Sequence, residues 1–256
     1  MSTTFKSINP YSGNVIKEYK AHSGNEIKDI LNTSEEIAKS WKKVELSERS
    51  ELIRRVGELL EERKREYGAL ITDEMGKPIS ESIAEIEKCA WLCEFYAVNA
   101  EDFLADELID TEAQESFISY DPLGCILAVM PWNYPFWQVM RFAAPTLTAG
   151  NVGLLKHASN VSGCAMALQE LFMDAGYPEG CFQTLLTDHK VIEDIIANKT
   201  VKAVTLTGST KAGQAIASIA GKNLKKTVLE LGGSNACIVW EDADLDQYID
   251  VMVKAR

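Results

Sequence analysis

The sequence predicts an α/β protein: a doubly wound parallel sheet joined to a helical layer built from the N-terminal residues. Two observations carry this. Short, continuous apolar runs recur after residue 120, at 126–130, 152–156, 182–186, 203–207 and 236–240, with helical patterns between them. Unbroken apolar strands alternating with helices imply a parallel sheet covered on both faces. Before residue 116 the apolar residues instead keep a helical period.

Taken in order, a short extended lead-in precedes the first helical pattern. Leu52, Ile53, Val56, Leu59, Leu60, Tyr67, Leu70 and Ile71 share one helical phase, with Ser47 available as N-cap. Met75-Gly76-Lys77-Pro78 stops that helix, glycine at the C′ position and proline just after. A second amphipathic stretch starts near Ser80 and runs through Ile83, Ile86, Ala90 and Phe95; its acidic end, 101–115, reads as a solvated face. Phe117-Ile118-Ser119-Tyr120 reads as a strand and Asp121-Pro122-Leu123-Gly124 as a turn. Helical patterns at 164–175, 211–220 and from Asp244 separate the later apolar runs, and Thr227–Glu230 forms a further strand. The expected division is 1–116 for the helical part, 117–130 for a hairpin segment and first sheet strand, and 131–256 for the α/β core.

Composition bounds the function. The 256 residues are 46% hydrophobic and 25% charged, which is globular. With 26 basic and 38 acidic side chains the net charge is −12, and residues 1–120 carry −10 of it (15 basic, 25 acidic). Such a surface repels a nucleic-acid backbone, so no nucleic-acid partner is expected. The near-neutral second half is the better place for an anionic small ligand. The longest apolar run, Cys125–Trp132, is far too short to span a bilayer. The opening Met-Ser-Thr-Thr-Phe-Lys lacks the apolar core of a signal peptide. Six scattered cysteines (89, 93, 125, 164, 181, 237) show neither disulfide nor metal spacing. Cys89 and Cys93 read as core thiols, and a cytoplasmic, reducing compartment is expected.

Open parallel sheets bind ligands beyond the carboxyl ends of their strands. Strand 126–130 ends in Pro131-Trp132-Asn133-Tyr134-Pro135, where an asparagine amide between two prolines could donate to a developing oxyanion, or could simply cap its own loop. Strand 203–207 runs into Thr207-Gly208-Ser209-Thr210, where glycine and a helix N-terminus suit a phosphate, although any strand-to-helix turn has this look. Lys156 closes strand 152–156, placed to hold a ribose hydroxyl or phosphate or to snorkel at the surface. Glu230 ends an apolar strand before Leu231-Gly232-Gly233. Partial desolvation there would raise its pKa and suit a general base; a capping or ion-paired glutamate is the other reading. His157 and His189 have no obvious partners and read as structural.

Together these blocks resemble the NAD(P)-dependent aldehyde dehydrogenases. The resemblance runs over essentially the whole chain: Asn9-Pro10-Tyr11-Ser12-Gly13, Glu74–Pro78, Pro131–Pro135, Ala149-Gly150-Asn151, Lys156, Thr207–Thr210, Glu230–Gly233 and Asp242-Ala243-Asp244-Leu245-Asp246. Lys156-His157-Ala158 with Phe136-Trp137-Gln138 looks most like the succinate-semialdehyde branch. The resemblance implies a Rossmann-like cofactor domain with part of an oligomerisation hairpin, a homo-oligomeric parent, and a small aldehyde as substrate. It implies Asn133 as oxyanion donor and Glu230 as the base that activates water. It places Pro131, Trp132, Lys156, Ser159, Gly208 and Ser209 on the dinucleotide, and Leu231 at its nicotinamide end, with Gly213 in the helix beneath. The implied chemistry is attack by a cysteine thiolate, hydride transfer to NAD or NADP and hydrolysis of a thioester.

Four departures follow. The family's glutamate three positions after the lysine is Ser159, which removes a carboxylate that would repel a 2′-phosphate; NADP should be tolerated beside NAD, with NAD expected as the physiological partner on branch resemblance. A lysine common nine positions after the asparagine is Phe142. Thr187-Asp188-His189-Lys190 replaces a glycine-rich turn, so the adenine-side contacts do not carry over directly. The family's nucleophilic cysteine lies roughly thirty-four residues past the base, just beyond Arg256, and none of the six cysteines sits in its context. The catalytic cysteine domain is therefore expected to be absent from these residues. The competing expectation is a catalytically inactive nucleotide- or partner-binding fragment.

Overall fold

A computed structural model describes residues 3–234 and 236–255. The lead-in is a hairpin, β1 (Thr4–Ile8) antiparallel to β2 (Val15–Lys20). Its turn is held by the Asn9 side-chain oxygen, which accepts from Tyr11 N–H and Ser12 N–H at 3.0 Å each. Helix α1 (Gly24–Trp41) opens with a capping box, Ser23 to Glu26. Its last residue, Trp41, is buried and donates Nε1–H to the Leu147 carbonyl at 3.1 Å, tying the helical layer to the helix Trp137–Thr148.

The single helical phase expected from Leu52 to Ile71 is two helices, α2 (Leu46–Glu62) and α3 (Lys64–Met75). The break falls at Arg63, whose backbone (φ −100°, ψ 13°) leaves the helix while its guanidinium reaches Asp174 at 2.5 Å. Ser47 lies inside the first turn rather than capping it, and Glu45 holds the cap position without a side-chain bond. The stop at Gly76 is as the sequence predicts: a left-handed φ of 80° and an N–H donated to Thr72 O at 2.9 Å. Helix α4 (Ile79–Leu104) buries Cys89 and Cys93 against α2.

The acidic stretch after α4 is exposed, and two of its residues form β3 (Glu107–Leu108), antiparallel to β4 (Phe117–Ile118). The sheet comprises β5 (Cys125–Met130), β6 (Val152–His157), β7 (Phe182–Thr184), β8 (Val201–Thr207) and β9 (Lys226–Glu230), parallel in the order β7-β6-β5-β8-β9. Helices α5 (Trp137–Thr148), α6 (Ser162–Asp174), α7 (Ile192–Ala197) and α8 (Thr210–Lys222) cross between the strands. The first strand is central, and the chain winds outward from it in both directions, which is the doubly wound arrangement. Leu127, Ala128, Leu154 and Leu155 are fully buried, as expected of strands covered on both faces.

One expected strand is absent. Residues 236–240 are coil, with Ile238 and Trp240 exposed. Their apolar content meets no strand edge, and an unpaired segment cannot satisfy its backbone as a strand. Helix α9 (Leu245–Ala255) follows. Among the described residues no helix is long and apolar enough to cross a membrane, and no cluster of side chains suits a metal ion.

Candidate functional site

Strand register gathers the candidate residues. Val129 pairs with Lys156 on one side and Leu206 on the other, and Leu206 pairs with Leu229. One residue further, His157, Met130, Thr207 and Glu230 form a row across the carboxyl edge of four strands. At a strand spacing of about 4.8 Å that row spans about 14 Å. Asn133, Ser159, Ser209 and Leu231 all leave the sheet just past it. The centre of the row is the switch point, where β6 and β8 diverge from β5.

The loop after β5 presents Trp132, Asn133 and Tyr134 to solvent, while Pro131 is half-buried and Pro135 and Phe136 are buried. It is held from behind. His157 Nε2 lies 2.9 Å from the Pro135 carbonyl, and Nδ1 lies near Met130 O and the Ala158 N–H. Nδ1 accepting from Ala158 and Nε2–H donating to Pro135 satisfy both ring nitrogens in the neutral tautomer. Burial lowers the imidazole pKa to about 4, which keeps it neutral. The structural role expected for His157 is met.

Beyond β8, Gly208 N–H donates to the Glu230 carbonyl at 2.9 Å. Ser209 caps α8, its Oγ accepting from Ala212 N–H at 3.2 Å. The first amides of a helix have no intrahelical partners, and here they open onto the crevice. Lys156 is partly buried, and desolvation lowers its pKa against the opposing charge of Asp188. Among the described residues no carboxylate lies within ion-pair distance of it. Ser159 is exposed and starts a short 3₁₀ turn. Asp188 caps the turn 189–191 by accepting from Lys190 N–H at 2.7 Å.

Glu230 fits the ion-paired alternative rather than the desolvated one. Its side chain is 55% exposed and stands 3.8 Å from Arg141 Nη2. The reason is its place: β9 pairs only with β8, and its outer edge is open. A groove of 330 Å³ between α5 and the β8–β9 face has Arg141, Thr207 and Glu230 on its wall. Phe142 lies in the floor of the same groove, buried, its ring 3.3 Å from where a Cβ on Gly153 would stand. Cys89, Cys93, Cys125, Cys164 and Cys181 are buried, and burial raises all five thiols, Cys125 and Cys181 to about 12. Cys237 is exposed in the 236–240 coil.

Three residues that sequence reasoning did not select support the crevice from the helical layer. Glu85, buried, accepts from Phe136 N–H and Trp137 N–H at 2.9 and 3.0 Å, and pairs with buried Lys77 at 2.5 Å. Glu74, also buried, accepts from Gly163 N–H and Cys164 N–H at 2.9 and 2.8 Å, at the start of α6. Each carboxylate sits at a helix N-terminus, where negative charge is favourable. Charged residues at buried phases of α3 and α4 were the available signal, since such groups are rarely buried unpaired.

The chain is 54% identical over 250 residues to a probable succinate-semialdehyde dehydrogenase (NADP(+)) of Synechocystis sp., covering 98% of this chain and 55% of that protein. It is 44% identical over 253 residues to succinate-semialdehyde dehydrogenase (NADP(+)) 1 of Mycobacterium tuberculosis strain H37Rv, again covering 98% and 55%. The crystal structure of a succinic semialdehyde dehydrogenase from Streptococcus pyogenes in complex with NADP+ superposes with a TM-score of 0.95 at 36% identity, over 98% of this chain and 56% of that one. The chain thus spans about half the length of the curated relatives it matches. The profile of the aldehyde dehydrogenase family matches residues 1–256, and with the parallel sheet and the ordered blocks at its carboxyl edge this places the chain in the aldehyde dehydrogenase family.

Proposed function

We propose that these residues form the dinucleotide-binding part of an NADP-using enzyme that oxidises a short semialdehyde, succinate semialdehyde, to its carboxylic acid. The observation that carries this is Lys156, a partly desolvated ammonium with no carboxylate partner among the described residues, across the switch point from the β8–α8 turn and two strands away from it. That donor set suits a phosphorylated ribose and a pyrophosphate. Pro131, Trp132, Lys156, Ser159, Gly208, Ser209 and Leu231 would hold the dinucleotide, whose nicotinamide supplies a hydride acceptor when bound. Asn133 would donate its amide N–H to the aldehyde oxygen as negative charge develops there, and Glu230 would accept a proton from the attacking water. The relatives' names favour NADP over the NAD preference expected from branch resemblance, and Ser159 supports them, since it leaves the 2′-position free of negative charge.

A second reading, a chain that binds the nucleotide without turning over, is favoured by the five buried thiols, whose raised pKa values disfavour a thiolate. Two measurements test the pair. Calorimetric titration with NADP+ and NAD+ is expected to give saturable binding, and no binding of either would sink both readings. Mixing the 256-residue chain with succinate semialdehyde and NADP+ is expected to give no NADPH, whereas a longer chain carrying these residues and a reactive cysteine gives steady formation.

A further inference from the structure

We propose that the buried Lys77–Glu85 pair is the positioning element of the Pro131–Pro135 loop, setting the backbone from which Trp132 and Asn133 project. Both residues belong to the helical layer, more than forty positions from the loop in sequence, yet their polar atoms are turned to it. Glu85 Oε1 takes the Phe136 and Trp137 amides, and Oε2 takes Lys77. The Lys77 ammonium then lies 3.5 Å from the centroid of the Tyr134 ring, the residue next to Asn133. The loop is thereby fixed at its exit by a carboxylate and along its outer wall by a cation–π contact.

Stability alone does not account for this arrangement. A buried ion pair loses hydration that its Coulomb attraction barely offsets, and an apolar pair of like volume often stabilises as well. What an apolar pair cannot do is accept two backbone amides and hold an aromatic face. A donor aimed at a developing oxyanion must be placed to within about 0.5 Å. Trp132, Asn133 and Tyr134 are solvent-exposed, and their side chains make no hydrogen bonds among the described residues, so their placement depends on what lies behind them. His157 anchors the entry and the Pro135 carbonyl, and the Lys77–Glu85 pair anchors the rest.

The consequence for nucleotide binding rests on the function proposed above; the consequence for the loop does not. The test uses the full 256-residue chain with Lys77→Met/Glu85→Leu, Lys77→Arg and Glu85→Gln. Amide exchange is read at Phe136 and Trp137 against Leu154 and Leu155 of β6, together with the thermal transition and the NADP+ dissociation constant. The double variant is expected to keep a cooperative transition, with exchange at Phe136 and Trp137 about tenfold faster and β6 unchanged. NADP+ binding should weaken by a similar factor, about tenfold, while Lys77→Arg restores both readings. Wild-type exchange at Phe136 and Trp137 in a folded double variant overturns the proposal. Faster exchange with unaltered NADP+ affinity supports the brace and overturns the part of the loop in nucleotide binding. If the double variant does not fold, Glu85→Gln decides: acceleration confined to those two amides supports the brace, and none overturns it. If the wild-type chain binds no dinucleotide, the proposed function fails and the exchange result alone judges the brace.

Discussion

Leu231 rests on Gly213: a Cβ added at Gly213 would stand 2.4 Å from Leu231 Cδ2 and 2.8 Å from Cδ1. The residue after the candidate base thus lies across the helix that starts at the crevice. Gly213→Ala should gain up to about 1 kcal/mol of helix propensity, because the half-exposed leucine can swing away. The displaced side chain should weaken NADP+ binding about fivefold, an effect of ~1 kcal/mol. Calorimetry beside thermal melting checks this; unaltered affinity would remove Leu231 from the nicotinamide end.

His157 makes stability depend on pH. Burial lowers its pKa from 6.5 to about 4, against the opposing pull of the Pro135 and Met130 carbonyls. Between those values the unfolded chain binds more protons than the folded one, so stability rises with pH. The contribution is complete above pH 6.5 and is lost as pH falls towards 4, by about 3 kcal/mol. His157→Gln should flatten that limb, its amide still donating to Pro135. Urea midpoints measured from about pH 7 down to about pH 4.5 should converge between the two proteins; parallel curves would show that His157 does not titrate this way.

Glu74 secures α6 as Glu85 secures α5. Its carboxylate takes two buried amides, and a Cβ on Gly163 would come within 2.7 Å of Oε1. Glu74→Ala leaves both amides unsatisfied and should cost about 3 kcal/mol, Glu74→Gln about half of that. Chemical denaturation separates them, and equal small losses for both would mean that water replaces the carboxylate.

Ser159→Glu should turn preference from NADP towards NAD, since a carboxylate there would repel a 2′-phosphate and attract ribose hydroxyls. Lys156→Ala should weaken both nucleotides, NADP more, by about tenfold beyond NAD. Paired titrations give the ratio; a ratio unmoved by Ser159→Glu would place the 2′-phosphate elsewhere.

Most of the sheet was legible in the sequence because β5, β6 and β8 are buried on both faces, and such strands announce themselves as unbroken apolar runs. The segment 236–240 reads the same way yet is coil, because composition states that a segment can pair and not whether the chain brings it to an edge. The break at Arg63 was hidden for a related reason: it serves Asp174, 111 residues away. Candidate site residues were legible where they follow strand ends, which is a local relationship. Lys77, Glu85 and Glu74 were not, because their partners lie on distant elements that only the fold brings near. The place of Glu230 at a strand end was legible, but its exposure was not, since that depends on the open side of β9.

The open edge of β9 gives the two candidate catalytic groups different freedom. Asn133 leaves a strand laddered on both sides, whereas Glu230 ends a strand laddered on one, with Thr227 and Val228 exposed. Amides of β9 and α8 should therefore exchange through a lower-energy opening than those of β5 and β6, as a cooperative unit at the rim of the sheet. Asn133 belongs to the fixed frame of the protein. Glu230 belongs to its adjustable margin, and whatever pairs with that margin sets where its carboxylate points.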